Sequence, residues 1–233
     1  MRLQVMVLQI RIQRALRRYG KDAFVANLPN KAKIFDIGCG NMSPRRVKLL
    51  RPDIHYIGLD IQDYNQNPST LVFANEYRVC QPEYFVSEIQ NEQGSMDAVI
   101  SSHNLEHCAD QREVLHAMCQ SLKFGGKLYL SFPSEASVYF PSRAGTLRFS
   151  DDPTHNSPPN WYEILDFLNQ SGLIVIFARK RYRPFIPMII GGILEPLSFI
   201  SKYVMPFGST WALWGFESVI WAEKPNLVNN IDR

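Results

Sequence analysis

The stretch Ile34-Phe35-Asp36-Ile37-Gly38-Cys39-Gly40-Asn41 limits what this chain can fold into more than any other. A short apolar, β-branched run ends in two glycines one residue apart, the pattern of a buried strand entering a tight turn. Without side chains at Gly38 and Gly40, the main chain of that turn can approach a ligand closely. The next apolar run, Ile54 to Ile61, ends in Asp60, about twenty residues beyond the turn, where a strand-end carboxylate takes a ribose hydroxyl. Ile61 beside it is placed to pack on a flat base. The bland alternatives are an ordinary glycine turn and an ordinary turn acid. A dinucleotide fingerprint would need a third glycine at Ser43, and its absence disfavours a NAD-dependent oxidoreductase.

Several classes fall away on composition. The chain has 233 residues, 45% of them hydrophobic, enough for one sizeable core and for a single domain spanning 1–233. A net charge of +3 argues against a nucleic-acid partner. Cys39, Cys80, Cys108 and Cys119 lack the spacing of a disulfide framework or a zinc site, so reduced thiols and a cytoplasmic setting are expected. Residues 1–24 read as one helix with Leu8, Ile12, Ala15, Leu16 and Tyr19 on one stripe and Arg11, Arg14, Arg18 and Lys21 on another. Such a helix either packs on the domain with solvated arginines or rests on an anionic membrane surface, on the inner face of the membrane. Its charge order and missing cleavage site do not fit a signal peptide.

Three motifs in order carry a family resemblance. Asp36-Ile37-Gly38-Cys39-Gly40 resembles motif I of the class I methyltransferases that use S-adenosylmethionine (SAM). Residues 95–107, an apolar strand, a polar loop and Leu105-Glu106-His107, resemble motif IV of the small-molecule branch. Leu122-Lys123-Phe124-Gly125-Gly126-Lys127-Leu128 resembles the family's Leu-Lys-Pro-Gly-Gly-x-Leu element. The resemblance implies an α/β, Rossmann-like, seven-stranded and mostly parallel sheet with helices on both faces and an antiparallel last strand. It implies SAM as cofactor and S-adenosylhomocysteine as product. Asp36, Gly38, Gly40, Asn41, Asp60 and Ile61 would contact the cofactor, with Ser102 and His103 near the sulfonium. For the adenine-contacting acid, Glu76 and Glu83 are the candidates. His103, Glu106 and His107 within one short loop do not by themselves make a metal site, and none is expected.

The remaining segments bear on the acceptor. Ser43 reads as the N-cap and Pro44 as the first residue of the first crossover helix. Within 62–92, Leu71-Val72-Phe73 and Tyr84-Phe85-Val86 are strand or helix pieces. Residues 161–170 read as a helix stopped by Gly172, residues 173–178 as a sixth strand and residues 211–222 as a seventh. Residues 133–160 form the acceptor loop, whose densest titratable cluster runs from Asp151 to His155. His155 is the expected general base and Asp152 its orienter; a loop-sealing histidine and a turn-forming Asp-Pro are the alternative. Positioning alone can suffice for methyl transfer. Residues 184–208 form an apolar insertion, too short for a bilayer span of about 20 residues. It serves as an acceptor lid, a homodimer surface or a membrane-dipping segment, with core burial as the plainest reading.

Taken together, these readings point to methyl transfer to an oxygen or nitrogen of a small-molecule, glycan or lipid-linked saccharide acceptor. The alternatives are a soluble-metabolite methyltransferase and a non-catalytic SAM-binding partner subunit.

Overall fold

The structure, a computed structural model, describes residues 2–40, 42–62 and 72–226; Asn41 and Leu71, named above, lie outside the described residues. The glycine-loop strand β1 (Lys33–Ile37) is central, and its residues Ile34 to Ile37 have no solvent exposure. Strands β2 (His55–Asp60) and β3 (Glu76–Val79) extend the sheet on one side. On the other side lie β4 (Met96–Ser102), β5 (Leu122–Pro133), β7 (Glu217–Glu223) and β6 (Ile174–Arg179), giving the order β3-β2-β1-β4-β5-β7-β6. Only β7 runs antiparallel to its neighbours. This is the Rossmann-like sheet that the motifs implied. Because the chain winds outward through β2 and β3 and then returns to β4, the carboxyl ends of β1 and β4 diverge, and ligands of such sheets bind at that point.

The two faces of the sheet follow the period of two in the strands. Phe35 and Ile37 point to the face covered by α5 (Gln111–Ser121) and α6 (Trp161–Gln170), through Val114, Leu115, Met118, Ile164 and Leu168. Ile34 points to the face covered by α2 (Lys21–Ala26) and α3 (Ser43–Leu50), where Phe24, Val25 and Val47 close the core. Asp36, two residues on from Ile34, therefore also faces α2 and α3.

Several local expectations change. The N-terminal helix is two: α1 (Arg2–Leu16) and α2 part at residues 17–20, where Gly20 is the N-cap of α2. Met42 precedes α3, so Ser43 is its first residue rather than its cap, and Pro44 follows. A short helix α4 (Phe85–Gln90) follows β3, and Val72 and Phe73 are in neither helix nor strand. Trp211 to Trp214, read as strand, belong to α8 (Ser209–Trp214); Gly215, at φ 64°, ends it, and β7 begins only at Glu217. Four apolar residues fit a buried helix turn as well as a strand. All four cysteines are free thiols, and burial pushes Cys108 and Cys119 up to about 12, which leaves them as packing groups.

The apolar insertion becomes α7 (Phe185–Ser201). Core burial is not what happens to it: Phe185, Ile186, Ile189, Ile193, Leu197, Phe199 and Ile200 are exposed, and only Pro187, Gly191 and Ser198 are buried. Among the described residues no helix is long and apolar enough to cross a membrane. Its charged residue Glu195 turns inward and takes two bonds from Arg143 of the acceptor loop, at 2.9 and 2.6 Å, while Arg143 also donates to Ser198 at 2.7 Å. Arg143→Met leaves Glu195 with the Trp214 indole, at 3.2 Å, but without its cation, and is expected to cost about 3 kcal/mol in urea unfolding. An unchanged midpoint would show that this pair does not tie the loop to α7.

Candidate active site

Asp36 of β1 is fully buried, with 0% exposure. Its carboxylate accepts from Lys21 of α2 at 2.8 and 3.1 Å, from the Tyr56 hydroxyl of β2 at 2.8 Å and from the Ser43 hydroxyl of α3. Lys21 also donates to Ser43 at 2.6 Å. Burial and the Asp36 charge push the Tyr56 phenol well above its ordinary value, so it stays a proton donor. Asp36 thus braces the loop against three elements. The Lys21 and Tyr56 contributions were invisible in the sequence, because nothing local marks them.

Both glycines have the left-handed backbone that the turn requires, Gly38 at φ 67° and Gly40 at φ 59°. A Cβ on Gly38 would lie 2.3 Å from the side-chain oxygen of Asn104, so the β1 and β4 loops close tightly there. A Cβ on Gly40 would meet nothing within 4 Å, which leaves open space beside the main chain. Asp60 accepts the Gly40 amide and the Ile61 amide, both at 2.8 Å, and burial raises its carboxyl above the ordinary value against the pull of those amides. Ile61 lines a cleft of about 460 Å³ with Val79, Cys80, Gln81, Pro82, Tyr84 and Glu88. This open-sided cradle, an acid at its edge and an apolar cleft beyond, fits SAM. Of the adenine-acid candidates, Glu76 sits at the amino end of β3 bonded to Arg78, on the side of the sheet away from the carboxyl ends, and Glu83 is exposed on the turn Pro82–Tyr84. Glu88 is the acid that lines the cleft.

Beyond β4, Ser102 bonds Ser131 of β5 at 2.9 Å, and His103 takes a left-handed φ of 54° with its amide on the Ser131 carbonyl at 2.8 Å. The His103 ring lies between two carboxylates, Glu106 at 3.2 Å and Glu217 of β7 at 2.9 Å, and Glu217 also pairs with Arg17. A second cleft, of about 350 Å³, is lined by Arg17, Ser102, Tyr129, Met205, Phe207, Trp211 and Glu217, among others. It lies between the end of α1 and the connection from α7 to α8.

The expected pairing of His155 with Asp152 does not form as a hydrogen bond: the nearest atoms are 3.9 Å apart. Asp152 instead accepts the Thr154 amide at 2.9 Å and its hydroxyl at 2.6 Å, the local turn that an Asp-Pro-Thr sequence favours. His155 donates from Nδ1 to the Phe149 carbonyl at 2.6 Å, and it does not line the cleft at Ser102. Asp151 accepts the amides of Arg143, Leu147 and Arg148; burial works to raise its carboxyl, but these donors hold it below the ordinary value.

Lys21→Ala should leave Asp36 as an uncompensated buried charge and cost at least about 3 kcal/mol in chemical unfolding. Tyr56→Phe, which removes one donor of several, should cost about 1–2 kcal/mol. Equal, small effects would show that the carboxylate does not depend on its lysine.

A family model described as "Methyltransferase domain" matches residues 8–176. The human mitochondrial ubiquinone biosynthesis O-methyltransferase is 35% identical over 107 residues, 42% of this chain and 28% of that protein. The ubiquinone biosynthesis O-methyltransferase of Xanthomonas axonopodis pv. citri is 29% identical over 110 residues, 44% of each chain. The match thus spans less than half the length of either relative. A SAM-dependent methyltransferase from Archaeoglobus fulgidus superposes with a TM-score of 0.53 at 18% identity, over 91% of this chain and 93% of that one.

Proposed function

The chain belongs to the class I SAM-dependent methyltransferases, and we propose that its acceptor is a polar group carried on a lipid or a glycan, methylated on oxygen or nitrogen. When bound, SAM supplies an electrophilic methyl on a sulfonium; transfer leaves S-adenosylhomocysteine and a proton from the acceptor. In this reading Gly38 and Gly40 pass beside the methionine part, Asp60 takes the ribose hydroxyls, and Ile61 lies on the adenine. Ser102 and His103 stand at the reacting end.

The acceptor enters the cleft beside Ser102, between α1 and the segment joining α7 to α8. Trp211, Phe207 and Met205 give that cleft an apolar wall, and Arg17, Tyr129 and Glu217 give it a polar floor. Two carboxylates line that cleft, and Asp22 is taken by Arg46, whereas Glu217 bonds His103 at the end of β4; Glu217 therefore takes the role of proton acceptor in place of His155. The observation that carries the lipid-borne reading is the outer surface next to the cleft. The exposed face of α7 is apolar, α1 adds exposed Val5, Leu8 and Ile12, and Arg11 and Arg14 of α1 and Arg18 just after it are exposed charges. Apolar residues rimmed by arginines suit an anionic lipid surface. The names of the relatives, O-methyltransferases of ubiquinone biosynthesis, agree with methylation on oxygen of a small molecule.

Calorimetric titration of S-adenosylhomocysteine should give saturable binding that Asp60→Ala weakens at least about tenfold, the equivalent of about 1.4 kcal/mol. No binding to either form would remove the cofactor reading. With methyl-labelled SAM and a cell extract split into lipid and aqueous fractions, label should enter the lipid fraction. Glu217→Gln should lower kcat about 100-fold while leaving the affinity for S-adenosylhomocysteine unchanged. Label confined to the aqueous fraction would replace the lipid-borne acceptor by a soluble glycan or metabolite.

A further inference from the structure

We propose that Glu106, His107 and His155 form a binding site for a divalent transition-metal ion, which joins the acceptor loop to the loop after β4. The ligand atoms of the three residues lie within 4.8 Å of one another. They come from two segments far apart in sequence: Glu106 and His107 from the turn Leu105–His107, His155 from the loop before α6.

Three features of the cluster point to a cation. First, Glu106 has no solvent exposure, yet its Oε2 has no hydrogen-bond partner, while Oε1 faces His103 at 3.2 Å and Nε2 of His155 at 4.0 Å. A buried carboxylate oxygen without a partner requires an explanation, and a bound ion is one of the few available. Second, both histidines are oriented as metal ligands are. His155 gives its Nδ1 proton to the Phe149 carbonyl at 2.6 Å, and His107 gives its own to the Thr154 carbonyl at 3.2 Å. Each bond sets the tautomer so that Nε2 carries the lone pair, which is the role outer carbonyls play around metal-bound imidazoles. Third, the loops are joined independently of any ion: the Asn156 amide donates to the Glu106 carbonyl at 2.8 Å, and its side chain to the His107 carbonyl at 2.6 Å. The site is therefore preorganised.

Two imidazole nitrogens and one carboxylate select zinc, cobalt or ferrous iron over magnesium or calcium, which take oxygen ligands. Around a tetrahedral ion with metal–ligand distances of about 2.0–2.2 Å, ligand atoms lie about 3.3–3.6 Å apart. The widest pair therefore closes by somewhat more than about 1 Å, through rotation of the half-buried His107 ring. Three protein ligands leave a coordination position open.

The test is a titration of Co²⁺ into the full chain after chelator treatment, read by visible ligand-field absorption, with no cofactor or acceptor present. Saturable binding of one ion per chain is expected, displaced by Zn²⁺ and untouched by excess Mg²⁺. His155→Ala and His107→Ala should each weaken it at least about 100-fold, and His103→Gln should leave it in place. Because His155 is buried, circular dichroism accompanies each variant; if His155→Ala fails to fold, the more exposed His107→Ala decides. Absence of saturable Co²⁺ absorption, or binding that survives loss of His107, would overturn the site. Loss in His103→Gln with retention in His155→Ala would confine the ion to the turn after β4 and would equally overturn the bridging set. These outcomes do not depend on methyl transfer, so the site and the proposed acceptor stand or fall separately.

Discussion

A buried carboxylate at the centre of the sheet organises the site. Asp36 has no contact with solvent, and a lone charge there would be untenable. The fold answers with an ammonium from α2 and hydroxyls from α3 and β2. Each partner fixes the position of its own element relative to the glycine loop. The loop's left-handed glycines and the tight contact of Gly38 with Asn104 then leave little freedom in the floor of the cofactor cleft.

The carboxyl ends of β4 and β5 and the amino end of antiparallel β7 form a second polar layer, built from residues that share no local motif. His103 sits between Glu106 and Glu217, and Glu217 reaches Arg17 at the end of α1. This chain of charges runs from the acceptor loop to the cleft beneath Trp211. The 133–160 loop is held by Arg143 on α7 and by Asn156, whose amide and side chain bond the Glu106 and His107 carbonyls of the turn after β4. These bonds fix the position of a long surface segment on the rigid sheet.

The insertion illustrates how far sequence patterning carries. Its apolar character was plain, and so was its inability to span a bilayer. Which way its apolar residues would face could not be read, because α7 is apolar around most of its circumference and no polar stripe marks a solvent side. The close seat of Gly191 on the Ser209 carbonyl decides the matter by bringing that small-residue side against α8. Short runs misled for a related reason: Trp211 to Trp214 are too few to display a period, and they formed a helix turn.

What the sequence alone determined was the sheet, its motif order and the chemistry at the ends of β1 and β2. Those features depend on neighbours within a few residues: alternation in strands, glycine where φ is positive, an acid at a strand end. Tertiary structure alone decided which side chains meet. Lys21 finds Asp36, Arg17 finds Glu217 across 200 residues, and His155 comes within 4.0 Å of Glu106 from a loop far along the chain. Such meetings follow from how elements cross and how loops return over the sheet, and local sequence encodes backbone preference without encoding those crossings.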